Sequence, residues 1–182
     1  MVVGSMLEKL TGKAWDKLMQ ERIFGPLQME SAGYGPTGTN DDIDQPWGHF
    51  KPFRSKYWTA TQFDNPETMG PAGTVHCNLE DWGKFISFQF LQNDTTQLSK
   101  VQRDKLLEVN QNNYASGWGI TESNWAKGKV YRHTGSNTYN YARVLVAPNI
   151  GRAFVVCTNS FDSESHKICK PLFRALSKLE SE

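Results

Sequence analysis

Apolar residues recur at helical spacing from the start of the chain. Val2, Val3, Met6, Leu7 and Leu10 fall on one side of a helical repeat, and Gly12 stands where such a helix ends in a left-handed residue. A second helix is predicted from Ala14 to Ile23, with Trp15, Leu18, Met19, the stem of Arg22 and Ile23 on its apolar side; Gly25-Pro26 stops it. Met1 has no N-cap and no polar lead-in, so the helical pattern is expected to begin upstream of it. Residues 30–77 lose periodicity and carry Gly33-Tyr34-Gly35-Pro36, Asn40-Asp41-Asp42 and Pro46-Trp47-Gly48-His49. A stretch this long without regular spacing is either functional or a surface excursion.

Order returns at Asn78. That residue fits an N-cap, Asp81 fits an acidic first turn, and Leu79, Trp82, Phe85, Ile86 and Phe90 run along one face to about Leu91. A shorter helix is expected over Ser99–Val109, carrying Val101, Leu106, Leu107 and Val109. From residue 114 the period changes. Tyr114–Ile120 reads as one strand with glycine gaps, and Val130–Gly135 as another. Tyr141–Ala147 and Arg152–Thr158 are β-branched runs joined by Pro148-Asn149-Ile150-Gly151, a hairpin signature. Asp162 to Leu179 closes the chain as an amphipathic helix, with Ile168, Leu172, Phe173, Leu176 and Leu179 on its apolar face. The organisation is one domain in four parts: a helical pair (1–29), an irregular loop (30–77), helices (78–110), and an antiparallel sheet with a packed C-terminal helix (114–182). The expected class is α+β.

Composition narrows the function classes. The chain has 182 residues, 38% of them hydrophobic and 21% charged, which is a folding composition. A formal net charge of +1 gives no general attraction for phosphate backbones, and no Lys/Arg run of nucleic-acid type is present. No stretch has the length of a transmembrane span. The first residues lack a basic lead segment, so no export signal is expected within them and the compartment stays undetermined. Cys77, Cys157 and Cys169 form no CxxC pair and are expected as buried or half-buried thiols. His49, His76 and His166 match no zinc spacing; they read as a loop histidine, a packed histidine near Gly73 and a solvated helix histidine.

The candidate chemistry lies in His133-Thr134-Gly135-Ser136-Asn137, after a predicted strand. A basic residue, a hydroxyl and a glycine at a strand end can line a cleft: the histidine handles charge or protons, and the glycine lets a substrate approach the backbone. A following N–H can stabilise an oxyanion. Alone, this run fits an ordinary turn between strands as well. A His133–Ser136 dyad is disfavoured, because residues three apart on a strand face opposite ways.

Several blocks together resemble the serine β-lactamase-like hydrolases, which include class C β-lactamases, low-molecular-weight penicillin-binding proteins and related esterases. They are Gly4–Trp15, Glu21–Met29, Pro46-Trp47-Gly48-His49, Gly70–Trp82, Gly117-Trp118-Gly119 and His133-Thr134-Gly135-Ser136, in the family's usual order. The resemblance implies a partial β-lactamase/transpeptidase-like fold and an acyl-enzyme mechanism on a β-lactam, a D-Ala-D-Ala peptide or an ester, with no cofactor. A Ser-x-x-Lys nucleophile, a Tyr-x-Asn group and a Lys/His-Thr-Gly strand carry that chemistry. By position, His133 matches the basic residue, Thr134 the hydroxyl and Gly135 the open backbone. Ser136 would offer one oxyanion-hole N–H, and Asn137 with Gly135 would meet the substrate.

The chain departs from the pattern. No Ser or Thr is followed three residues later by Lys, and no Tyr two residues later by Asn; Tyr139-Asn140 are adjacent. In the family both motifs precede the stretch resembling Val2 onward. The expectation is the C-terminal part of a serine hydrolase, inactive alone and completed by an N-terminal half. The alternatives are a non-catalytic remnant that binds or self-associates, and a weak esterase with an unrecognised nucleophile.

Overall fold

A computed structural model describes residues 1–39, 41, 44–91 and 98–178, without the side chains of residues 111, 163–166, 174 and 177. Helix α1 (Val2–Thr11) ends as expected on Gly12, whose left-handed backbone (φ 67°) lets its N–H reach the Glu8 carbonyl. The apolar row of α1 is not covered: Val2 is 74% and Leu10 80% exposed, and Gly4 is the helix's buried residue. Gly4 is where the chain passes closest to Pro71, since a Cβ there would stand 2.5 Å from the Pro71 Cγ. Helix α2 (Trp15–Met19) runs on into a π-turn, Gln20–Phe24, in which the Gly25 N–H bonds back to the Gln20 carbonyl. That turn brings Phe24 into the interior, while Arg22 stays exposed.

The irregular stretch contains short pairings that no periodicity announces. Strands β1 (Gly33–Tyr34), β2 (Gly48–Phe50) and β3 (Thr59–Thr61) are followed by a 3₁₀ turn (Glu67–Met69), the short helix α3 (Gly70–Gly73) and β4 (Val75–His76). β1 pairs with β4 and β2 with β3, both antiparallel. Asn40 and Asp42 lie outside the described residues.

Helix α4 (Leu79–Phe90) is capped by Asn78, whose side chain accepts the Asp81 N–H at 2.8 Å. Ile86 and Phe90 are buried and Trp82 packs beside them, but Leu79, expected on that face, is exposed at the helix's first turn. Helix α5 (Lys100–Leu106) opens on a capping box between Ser99 and Gln102. Its buried residue is Arg103; Val101, Leu106 and Val109 are exposed, and Leu107 is the apolar side chain that packs inward.

The main sheet has five antiparallel strands in chain order: β5 (Tyr114–Ala115), β6 (Trp118–Ser123), β7 (Gly128–Ser136), β8 (Tyr141–Ala147) and β9 (Arg152–Thr158). Tyr114–Ile120 is therefore a tight hairpin rather than one strand. Ala115 pairs with Trp118 across Ser116 (φ 38°) and Gly117 (φ 98°), both positive as a two-residue reversal of type I′ requires. The β8–β9 hairpin forms as expected, from Tyr141↔Thr158 down to Ala147↔Arg152.

Helix α6 (Ser163–Lys178) packs on β9. Its buried line is Cys169 and Phe173, with Leu176 half-buried; Ile168 and Leu172 lie about a quarter-turn away and are exposed. Leu179 and the His166 side chain are outside the described set. The sheet is thus covered on both faces. Ile86 and Phe90 of α4 meet Trp118, Ile120, Tyr131, Val144 and Val146 on one, and Phe173 of α6 lies under the Arg143 guanidinium, 4.9 Å from ring centre to Cζ, on the other. The class is α+β, helices with antiparallel sheets of two, two and five strands among the described residues.

Candidate functional site

The run His133–Ser136 is the last part of β7. β6 pairs with β7 only up to Gly119↔Arg132, whereas β8 follows β7 on to Ser136↔Tyr141. His133, Thr134, Gly135 and Ser136 therefore extend past the last β6–β7 pair, and all four are exposed. Residues paired across an antiparallel ladder share a face. His133, opposite Val144, stands on the α4 face, and Thr134, opposite Arg143, stands on the α6 face.

The His133 ring is fixed by the hairpin before it. Its Nδ1 lies 2.5 Å from the Gly117 carbonyl, and the ring sits edge-on to Trp118 at 6.2 Å between centroids. Because a carbonyl can only accept, Nδ1 is the donor in this contact, and in the neutral ring Nε2 is then the acceptor. The Gly117-Trp118-Gly119 block thus acts on the candidate histidine. Gly117 itself follows from its turn: its positive φ suits glycine, and a two-residue loop carries its carbonyl to the strand end.

Ser136 and Asn137 are committed to the turn between β7 and β8. The Ser136 hydroxyl donates to the Asn140 carbonyl (2.8 Å) and accepts the Thr138 N–H (2.9 Å). The Asn137 Oδ1 accepts the backbone N–H groups of Asn140 (2.7 Å) and Tyr139 (3.1 Å), and its Nδ2 donates to Asp64 Oδ1 at 2.7 Å. The His133 and Ser136 side chains bond to different carbonyls and form no dyad. The amide of Asn137 thus fixes the turn through its oxygen and ties it to Asp64 through its nitrogen.

The Pro46-Trp47-Gly48-His49 block docks on this same turn. The His49 N–H bonds to the Tyr139 carbonyl at 3.0 Å, and its Nδ1 lies 3.0 Å from the Asn159 carbonyl. A Cβ on Gly48 would stand 2.6 Å from the Tyr139 Cβ, so this approach requires glycine. The Tyr139 ring packs against Phe50 (5.8 Å) and Phe63 (5.9 Å). One residue further, Asp64 and Asn65 reach apart: Asp64 to Asn137, and Asn65 Nδ2 to the Gly73 carbonyl at 2.8 Å. Sequence reasoning missed Asp64, Asn65 and Tyr139, whose roles depend on partners far along the chain.

His76 is half-buried, its Nδ1 2.9 Å from the Gly35 carbonyl. Among the described residues no group of three metal-ligating side chains comes together. Cys169 is buried and Cys77 half-buried, but Cys157 is exposed, against expectation. A cavity of about 430 Å³, lined by Phe90, Arg103, Leu107, Lys129 and Tyr131 among others, lies at the far end of β7 and includes none of the His133–Asn137 residues. No described helix is long and apolar enough to cross a membrane.

No curated protein matches the sequence. Among solved structures, an octameric penicillin-binding protein homologue from Pyrococcus abyssi is similar with a TM-score of 0.71 and 17% identity, over 87% of this chain and 36% of its own. A D-amino acid amidase from Ochrobactrum anthropi SV3 gives 0.70 and 18%, over 99% of this chain and 57% of its own. A beta-lactamase/D-alanine carboxypeptidase from Yersinia pestis gives 0.58 and 16%, over 87% and 46%. The chain spans from about a third to just over half of these structures, and the likeness is one of fold. The family model for Beta-lactamase matches residues 1–176, nearly the whole sequence, and the chain belongs to that family.

Proposed function

We propose that the chain supplies the sheet-side wall of an acyl-transfer site of a β-lactamase-related serine hydrolase. The observation that carries this reading is the exposed end of β7. His133, Thr134, Gly135 and Ser136 run past the last β6–β7 pair, with the His133 ring oriented by Gly117. In this role His133 handles charge and protons, Gly135 lets the substrate lie along the strand, and the Ser136 N–H serves as one oxyanion donor. Thr134 contributes its hydroxyl. Asn137 supports them by fixing the turn. The substrate is a β-lactam, a D-Ala-D-Ala peptide or an ester; amides of D-amino acids join these through the similar D-amino acid amidase.

The nucleophile is to come from a segment bearing Ser-x-x-Lys, so the chain alone is expected to be inactive. The test is hydrolysis of nitrocefin and p-nitrophenyl acetate by the purified chain, with and without an N-terminal fragment carrying that motif. Background rates alone and turnover on completion support the reading. Turnover by the chain alone, with a fluorophosphonate adduct mapped to one of its own residues, replaces it by the weak-esterase reading.

A second reading rests on α1. Its row Val2, Val3, Met6, Leu7 and Leu10 is exposed, and apolar surface of this kind drives association. A non-catalytic, self-associating module would scatter light as a dimer or larger at tens of micromolar; a clean monomer rejects it.

A further inference from the structure

The β2–β3 hairpin carries a concentrated surface feature that the β7 site does not use. Its loop, residues 51–58, is closed at the base by the Phe50↔Thr59 pair. Eight residues there hold three cations (Lys51, Arg54 and Lys56) and no carboxylate, in a chain whose formal net charge is +1. None of the three ion-pairs with a carboxylate among the described residues. Interleaved with them are aromatics that point away from the protein: Phe53 is 89% exposed, Tyr57 81% and Trp58 41%.

The loop is folded to present them. The Ser55 N–H bonds to the Pro52 carbonyl at 2.9 Å, making a β-turn with Phe53 and Arg54 at its two corners. Arg54 holds a left-handed backbone (φ 64°), a position that favours glycine, and its guanidinium lies 5.1 Å from the Phe53 ring centre. The Ser55 hydroxyl then braces the far side, accepting the Tyr57 N–H at 3.0 Å and donating to the Tyr57 carbonyl at 3.1 Å. Exposed rings at an ordered tip cost solvation in water and are stabilised where an apolar layer meets a polar one. Cations around such rings match an anionic surface.

We propose that the 51–58 tip is a peripheral docking site for an anionic lipid bilayer. Phe53, Tyr57 and Trp58 enter the headgroup region, and Lys51, Arg54 and Lys56 meet lipid phosphates. Membrane association of this kind needs no spanning helix. The alternative class, single-stranded nucleic acid, also takes rings and cations. It is less favoured, because the loop's cations sit at one tip rather than along a groove that would track a backbone.

The experiment is flotation of the purified chain with phosphatidylcholine vesicles and with mixed phosphatidylcholine–phosphatidylglycerol vesicles. Binding is expected to the mixed vesicles, weakening with salt. Lys51→Ser, Arg54→Asn and Lys56→Ser together should lower the partition on the order of 100-fold, with Asn keeping the left-handed corner. Phe53→Ser with Tyr57→Ser should lower it about 10-fold or more. All these positions are exposed, and circular dichroism checks that the variants stay folded. Val3→Ser with Leu10→Ser in α1 should leave the partition unchanged. The proposal is overturned by absence of binding to the mixed vesicles, or by equal binding to phosphatidylcholine alone. It also fails if binding survives the tip variants but not the α1 variant, or if the chain retains single-stranded DNA in place of vesicles. None of these outcomes depends on the hydrolase reading.

Discussion

Asp81 Oδ2 accepts two hydrogen bonds from a single residue, Ser31: the backbone N–H at 2.7 Å and the hydroxyl at 2.5 Å. The other oxygen takes the Lys84 ammonium at 2.6 Å, and the residue is only 2% exposed. The Lys84 bond first, then those from Ser31, bring the Asp81 pKa down to about 2 from an ordinary 3.8. The folded carboxyl is thus the stronger acid. Its contribution to stability is complete above the unfolded value and is lost as the pH falls from about 4 toward about 2. Urea unfolding at stepped pH should show the wild type losing stability across that window and Asp81→Asn losing less, from a lower starting point near neutrality. Parallel curves would remove Asp81 as the source.

The Asp64–Asn137 bond should behave as a coupled pair. Asn137→Ala strips the turn of an acceptor for two backbone N–H groups as well as the bond to Asp64, so it should cost about 2 kcal/mol or more. Asp64→Ala removes one bond and should cost about 1 kcal/mol. A double-mutant cycle by denaturant unfolding should return a coupling of about 0.5–1.5 kcal/mol; additive single effects would mean that the two side chains do not interact.

Gly48→Ala is a steric experiment. The added methyl would meet the Tyr139 Cβ at 2.6 Å, too close to keep, and the backbone bond from His49 to Tyr139 holds the two segments together there. Destabilisation of about 1–3 kcal/mol is expected, seen as a lower thermal midpoint. Gly35→Ala is a comparison in which no neighbouring atom is met, although its positive φ (79°) carries a separate backbone cost. Amide exchange separates the two: Gly48→Ala should speed exchange at His49, and Gly35→Ala should not.

The three thiols should differ by access. Cys157 is exposed, Cys77 half-buried and Cys169 buried. Burial pushes the Cys77 thiol up to about 11 and raises the Cys169 thiol as well. The thiolate is the reacting form, so alkylation of the folded chain should be slow at neutral pH, quicken as the pH rises, and mark Cys157 first. Cys169 should label only on unfolding. Mass mapping after brief iodoacetamide treatment decides the order; early modification of Cys169 would contradict the packing of α6 on β9.

Local signals in the sequence marked those parts of the fold whose causes are local. Asn78 and Ser99 cap helices by bonding to residues three positions on, and the Pro148–Gly151 link joins strands that are neighbours in sequence. The 30–77 stretch was opaque for the opposite reason. Strands of two or three residues hold too few positions to show a period, and β1 finds its partner more than forty residues later. The Tyr114–Ile120 run misled because alternation continues across a two-residue reversal. In α6, Ile168 and Leu172 satisfy the apolar pattern as well as Cys169 and Phe173 do, and only the position of β9 selects between them. At the site, His133–Ser136 was legible as a strand-end motif. The occupation of Asn137 was not, because its partner Asp64 comes from a segment with no signal of its own.

Asp64 and Asn65 are consecutive, yet one side chain holds the turn after β7 and the other holds the carbonyl of Gly73 beside α1. Those two landmarks are therefore joined through a single peptide unit of about 3.8 Å and two short polar side chains. Lengthening either side chain by one methylene, about 1.5 Å, would spoil one of these two bonds and spare the other, so each tie can be cut separately.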